Sequence, residues 1–251
     1  MPRQPVNQNL IVDVGMSEGN DTAYYLRKGF RVVGVEADPM MAASLADRFA
    51  GPIAEGRLTV LNRAAAEVSG AEVVFYHNAR WQGLSGLAPT AQAALREGQT
   101  EHRVQTIAWS DIVAIDGVPR YCKIDIEGAE AAFLRSVQGG DALPDYMSVE
   151  VHAFEPIAAL HDAGYRWFKF VNQTMLATLA GALPNPPREG LHVPDPDWHH
   201  ASGPFGRELP DAWQSFREAC VTYEMIQRLK VHLTILGGCW FDCHAAIDPG
   251  A

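Results

Sequence analysis

Short apolar runs alternate with helical stripes along most of this chain, and that alternation leaves few folds open. LIVDV at 10–14 reads as a buried strand, GMSEG as a glycine-bearing turn, and the stretch through Ala23, Leu26 and Arg27 as a helix ended by Gly29. RVVGVEA at 31–37 is the next strand. Pro39 suits the first turn of a helix whose stripe holds Met40, Ala43 and Ala46. RLTVLN at 57–62 reads as a third strand, and EVVFYHN at 72–78 as a further strand or one arm of a hairpin. VQTIAWSDI leads into the strand YCKIDI, the helix EAAFLRSV, the strand YMSVEVHA, the helix PIAALHDAG and the strand YRWFKFV. Five or more strands separated by helices predict an α/β fold, a three-layer sandwich about a mostly parallel sheet.

The 251 residues suit one well-filled domain spanning 1–251. Residues 79–98, rich in alanine, glycine and small polar side chains, fit a ligand-covering connection. Between 184 and 210 prolines, histidines and glycines interrupt every periodic pattern, yet Trp198 and Phe205 give the segment something to pack. It is expected to be an ordered loop covering the active site. Residues 211–236 return to helical spacing, with Trp213, Phe216 and Cys220 on one side and an apolar part that is a candidate contact in a homo-oligomer.

A net charge of -10 with 20 Lys and Arg argues against binding a nucleic-acid backbone, which calls for concentrated positive charge. No run approaches a membrane span and MPRQPVNQ lacks the sections of a secretory signal, so the expected location is the cytoplasm. Cys122, Cys220, Cys239 and Cys243 form no paired CxxC and read as reduced thiols. Cys239, Cys243 and His244 either converge on a metal or pack together near the end of the sequence.

In DVGMSEG, Asp13 ends the first strand, while Gly15 and Gly19 let the backbone approach a ligand before a helix N-terminus. Glu36, at the end of the second strand, offers acceptor oxygens to two ribose hydroxyls. A dinucleotide oxidoreductase would show GxGxxG, which is not present here. A charge at Asp13 would be unhelpful beside pyrophosphate but useful beside the amino group of a methionine-like moiety, so S-adenosylmethionine fits better than NAD. The plainer alternatives are that Asp13 caps the helix, that the glycines only tighten the turn, and that Glu36 partners a helix cap.

DVGMSEG, VVGVEADP, KIDIEGAE, SVEVH, SGPFG and WFDCHA, in that order, resemble the FkbM-type S-adenosylmethionine-dependent methyltransferases across nearly the whole chain. The resemblance implies the class I methyltransferase fold, a Rossmann-like three-layer sandwich, and an enzyme methylating oxygen atoms of sugars or natural products. It implies that Asp13, Gly15 and Gly19 belong to the cofactor loop and Glu36 to ribose binding. Where the family's first motif reads DVGANxG, this chain carries Met16 and Ser17. The candidate cofactor set is Asp13, Gly15, Ser17, Gly19, Glu36, Asn62 at the end of the third strand, and Asp125.

Ends of central strands in such a sheet open onto one crevice, which brings Asp125 and Glu127 toward Glu150 and His152. Alternation would put each pair on one side of an extended strand end. Two uses follow. In one, Asp125, Glu127, Glu150 and His152 hold magnesium or a similar divalent cation that acidifies an acceptor hydroxyl. In the other, His152 or Asp125 takes the hydroxyl proton without a metal. The favoured catalytic set is His152 as base with Asp125 and Glu150 beside it, Asp125 orienting the acceptor or a metal. The structural alternatives are Asp125 bonded to loop amides, Glu127 capping the following helix, Glu130 in solvent and His152 as a satisfied polar residue. By its place in the family motif, Lys123 is expected to support or shape the site.

Asp242 and His244 either complete the acceptor pocket or satisfy each other, while Trp240 and Phe241 anchor the tail. His192, His199 and His200 are metal ligands or surface histidines, and Trp81, Trp198 and Phe205 an acceptor wall or core. The leading reading is an O-methyltransferase acting on a small molecule or glycan. An N-methyltransferase, an NAD-dependent oxidoreductase and a non-catalytic binding protein are the alternatives.

Overall fold

The computed structural model describes residues 3–78, 85–87, 99–179, 183–210, 212–232 and 238–250. Strand β1 (Val6–Val14) ends in five consecutive buried residues, as a strand covered on both faces should. Helix α1 (Asn20–Arg27) returns the chain to β2 (Arg31–Glu36), which pairs parallel with β1. Helices α2 (Pro39–Arg48) and α3 (Ala50–Ala54) lead to β3 (Leu58–Asn62), parallel to β2. Asp38 caps α2 by accepting from the amides of Met40 and Met41.

The chain then leaves the main sheet. Strands β4 (Ala64–Ala65), β5 (Glu72–Asn78) and β6 (Gln99–Ile107) form a separate three-stranded sheet, in which β5 and β6 are antiparallel. The run at 72–78 is therefore a hairpin arm. Helix α4 (Trp109–Asp116) precedes β7 (Val118–Ile124), all seven of whose residues are buried between β1 and β8. Next come α5 (Glu130–Arg135), β8 (Tyr146–Glu150), α6 (Glu155–Ala163), β9 (Trp167–Asn172) and α7 (Leu176–Leu179). Strand β10 (Gln214–Ser215), helix α8 (Phe216–His232) and β11 (Phe241–Ala246) complete the order.

The main sheet has eight strands in the order β10-β9-β11-β8-β7-β1-β2-β3. β3, β2, β1, β7 and β8 are parallel, and β11 runs antiparallel between β8 and β9. The tail WFDCHA thus supplies a central strand. α8 begins at Phe216, later than the sequence pattern suggested, because Trp213 instead packs over Tyr146 ahead of β10. Val221, Met225 and Leu229 are exposed on α8. None of the helices among the described residues is long and apolar enough to cross a membrane.

Alternation along β7 sends Cys122 and Ile124 to one face and Tyr121 to the other. On the first face Ile112, Phe133, Leu134, Ile157 and Leu160 fill the core. On the second, Tyr24, Tyr25 and Leu26 of α1 pack together with Val193 and Phe205. Its ring is wholly buried and stacks on Tyr121 with centroids 4.4 Å apart and planes 3° from parallel. Burial of a phenylalanine contributes about 1.5–3 kcal/mol, so one side chain is a substantial anchor for its segment.

Buried charge fixes the same segment. Lys28 Nζ lies 2.8 Å from Glu208 Oε1, with both side chains almost fully buried. Glu189 accepts from Arg120 and Arg207, and Asp21 accepts from the amides of Ser202 and Gly203 at 2.9 Å each. The stretch expected as an active-site cover is therefore ordered and lies mainly over a sheet face. Ser202 and Gly203 reach the first turn of α1 through Asp21, and His199 O accepts there from Asn20.

Candidate active site

The turn after β1 is locked to the loop after β7. Gly15 donates its amide to Val35 O, and Asp125 donates its own to Val14 O, both at 2.9 Å. Gly15 has φ +84°, and a Cβ there would stand 1.8 Å from the carbonyl oxygen of Asp125. A Cβ at Gly19 would meet the Phe49 ring at 2.6 Å. The chain's own packing therefore requires both glycines before any ligand is considered.

Asp13 lies behind this turn. It is fully buried, accepts from the Thr22 hydroxyl at 2.7 Å and stands 3.5 Å from Lys123 Nζ. Lys123 donates to Gly15 O at 3.0 Å and also faces Asp21 at 3.5 Å and Asp125 at 3.6 Å. Burial alone would depress the ammonium's pKa, but the carboxylates of Asp13, Asp125, Asp21 and Asp242 outweigh it and raise the pKa well above normal. A charged Lys123 thus ties the two loops together.

Glu36 sits at the end of β2, also buried. One carboxylate oxygen accepts from Ser17 N at 2.9 Å and the other from Asp38 N at 2.8 Å. Asn62 directs its amide to the carbonyls of Glu36 and Ala37, fixing the backbone of that turn. Burial pushes the Glu36 carboxyl up to about 7, against the pull of the two amides. A buried carboxylate holding one amide on each oxygen has lone pairs left for two more donors, which suits the paired hydroxyls of a ribose. The chemistry of this position fits an adenosine cofactor.

Across the crevice, β7 ends at Ile124, and the turn brings Glu127 into the left-handed region at φ 53°. Asp125 and Glu127 are consequently not alternating positions of a strand. Glu130, expected in solvent, is buried and folds back to accept from the amides of Ile126 at 3.0 Å and Gly128 at 3.1 Å. It secures the turn that holds Glu127. Glu150 ends β8, and His152 Nε2 lies 2.8 Å from its Oε2 and 3.9 Å from Glu127 Oε2.

The hydrogen bond to Glu150 raises His152 to about 9, despite desolvation. Desolvation, with Asp125 and Glu150 nearby, pushes Glu127 up to about 8. Glu150 is raised by burial and by Asp125, with His152 pulling back. The structure therefore gathers Asp125, Glu127, Glu150 and His152, as the sequence predicted. Donor atoms of Glu127, Glu150 and His152 lie within 4.8 Å of one another, a metal-capable group that does not include Asp125.

Strand β11 brings Asp242 opposite Glu150, almost fully buried and hydrogen-bonded to Ser202. Burial, and then Asp125, raise its pKa well above the ordinary value. Asp242 thus joins the crevice acids, one of the two places that the sequence left open for it. His244 is buried with neither ring nitrogen hydrogen-bonded, over the Tyr121 ring, and burial lowers it to about 3. Asp242 and His244 do not satisfy each other. Neither the Cys239, Cys243 and His244 set nor His192, His199 and His200 make a metal-capable group among the described residues. Trp198 packs on Tyr24, Phe205 is core, and Trp81 lies outside the described residues. The sequence reading missed Asp21, whose signal was its place in the first turn of α1.

The chain is similar to several known proteins. A probable ribosomal RNA small subunit methyltransferase A from Methanospirillum hungatei is 36% identical over 63 residues, 25% of each chain. The crystal structure of methyltransferase FkbM from Methylobacillus flagellatus KT is 20% identical with a TM-score of 0.39, covering 63% of this chain and 36% of that one. A SAM-dependent O-methyltransferase from Thermotoga maritima is 10% identical with a TM-score of 0.42, covering 97% and 61% respectively. The chain thus spans about a quarter of the curated relative and little more than a third of the FkbM structure. The methyltransferase FkbM domain matches residues 13–174, more than half of the sequence and the whole stretch from Asp13 through β9, and the chain belongs to that family of S-adenosylmethionine-dependent methyltransferases.

Proposed function

We propose that this domain transfers a methyl group from S-adenosylmethionine to a hydroxyl oxygen of a small molecule, sugar or natural product. The observation that supports this reading is the juxtaposition, at one end of the sheet, of Glu36 with spare acceptor capacity and the acids and histidine at Asp125, Glu127, Glu150 and His152. When bound, S-adenosylmethionine would supply a sulfonium methyl group for transfer to the acceptor oxygen, with S-adenosylhomocysteine as the leaving group. Glu36 would hold the ribose hydroxyls. Gly15, Ser17 and Gly19 shape the turn beside it, Asn62 fixes the backbone behind Glu36, and Asp125 borders it on the acceptor side.

The chain's own task is to orient the acceptor and accept its proton. His152, the base expected from the sequence, carries a proton up to about pH 9 through its bond to Glu150. At neutral pH the proton must go to a carboxylate, and Asp125 at the crevice is the proposed acceptor. His152 then holds Glu150 in position. A second reading, magnesium or another divalent cation on Glu127, Glu150 and His152, draws support from the convergence of their donor atoms.

The test is transfer of an isotope-labelled methyl group from S-adenosylmethionine to a library of hydroxylated acceptors, with and without chelator. An O-methyl product supports the proposal, an N-methyl product replaces it, and failure to bind S-adenosylhomocysteine overturns it. Loss of turnover in chelator, restored by magnesium, would select the metal reading. With an acceptor in hand, a rate that climbs until about pH 9 and loses that limb in His152→Gln would return the base to His152. A flat profile with Asp125→Asn inactive would assign it to Asp125.

A further inference from the structure

The small sheet outside the main fold reaches the turn after β2 through a hydrogen bond as well as through apolar packing on Ala37. His77, on β5, directs Nδ1 to Asp38 Oδ2. Asp38 is 4% exposed and His77 17%, so the bond is shielded from water. The other Asp38 oxygen is committed to the α2 cap, through Met40 N at 2.9 Å and Met41 N at 3.4 Å. The Asp38 amide in turn donates to Glu36 Oε1 at 2.8 Å. Asp38 thus links the hairpin to the carboxylate proposed to bind ribose.

We propose that His77 is a positioning residue for cofactor binding, acting through Asp38 to hold the Glu36 carboxylate in the orientation that receives the adenosine ribose. This rests on the reading of Glu36 given above. Glu36 has two orienting amides, one from the β1–α1 turn and one from the β2–α2 turn. On the second of these turns Asn62 fixes the carbonyls of Glu36 and Ala37, and His77 holds the Asp38 side chain. Removing His77 releases Asp38 to rotate about its cap, and its amide moves with it. Through His77 the hairpin formed by β5 and β6 thereby becomes part of the cofactor site. His102 meets the His77 ring edge-on at 6.2 Å and limits its rotation.

The experiment is calorimetric titration of S-adenosylhomocysteine into the full chain, comparing the wild type with His77→Ala, His77→Gln and Arg103→Ala. Gln keeps a donor for Asp38. Arg103 pairs with Glu72 on the exposed face of the same hairpin and controls for general hairpin loosening. The expected result is roughly tenfold weaker binding in His77→Ala, the loss of about one charge-assisted hydrogen bond, with recovery in His77→Gln and no change in Arg103→Ala. Thermal unfolding of each variant accompanies the titration. Wild-type affinity in His77→Ala overturns the proposal. Equal weakening in His77→Ala, His77→Gln and Arg103→Ala also overturns it, since that pattern marks a structural role of the hairpin. A wild type that binds no S-adenosylhomocysteine removes the Glu36 reading itself and this inference with it, an outcome distinct from a defect confined to the His77 variants.

Discussion

Asp242 and Glu150 stand directly opposite one another in the β8–β11 ladder, so a strand much later in sequence adds a buried carboxylate to the crevice acids. Lys123 is the buried ammonium facing this group, and Ser202 supplies its hydrogen bond. Asp242 therefore holds its proton more tightly in the folded chain than in the unfolded one. With the folded pKa raised, folding loses stability as pH rises from the unfolded value near 3.8.

Asp242→Asn removes that loss while keeping an acceptor for Ser202. It is expected to melt above the wild type at pH 7 and to approach it at pH 4. Paired thermal scans at the two pH values check this, and a variant that melts lower at pH 7 contradicts the upward shift at Asp242.

Cofactor affinity should follow Glu36. Its folded value of about 7 exceeds the ordinary 4.5, so the ligand-free protein loses stability as pH rises through that interval. Binding two ribose hydroxyls requires the ionised form as acceptor. S-adenosylhomocysteine affinity is expected to increase from pH 6 to 8 and then level off, by up to about tenfold per pH unit on the rising limb. Glu36→Gln should bind more weakly and show no such limb in the same titrations.

Gly15→Ala is expected to fold poorly. The added Cβ would strike the Asp125 carbonyl at 1.8 Å, and φ +84° is unfavourable for alanine in any case. The clash is with backbone, which cannot rotate away, so the loss should be about 3 kcal/mol or more. Urea denaturation measures it, and a loss below about 1 kcal/mol would mean that the two loops separate easily.

The Lys28–Glu208 pair offers a double-mutant cycle. Lys28→Met alone leaves a buried carboxylate without its ammonium and is expected to cost about 3–5 kcal/mol. Lys28→Met with Glu208→Leu should recover most of that loss. Additive single losses in denaturation would show that the ions do not act as a pair.

The parallel half of the sheet was legible because its strands are local apolar runs, as at Leu10–Val14 and Val32–Val35. The gathering of Asp125, Glu127, Glu150 and His152 was legible too, since it needs only that two adjacent strands end together. The side of the turn on which each acid lies was not. Helical spacing puts Glu130 outward, but a left-handed Glu127 followed by Gly128 exposes two amides that Glu130 returns to satisfy. Asp13 reads as a ligand contact at a strand end, yet its depth depends on Lys123 and Thr22, which are far apart in sequence from each other. Phe205 offered no periodic signal, because its partners Tyr25, Tyr121 and Tyr146 belong to three different elements.

The insertion of β11 between β8 and β9 bears on how the protein is made. As the chain leaves the ribosome, β8 and β9 are complete long before the strand that joins them, and each presents an unpaired edge throughout synthesis of residues 173–240. Vectorial folding can finish the β3-β2-β1-β7-β8 half early, but the middle of the sheet must wait for Ala246. Nascent chains stalled before that point should be the species that chaperones hold.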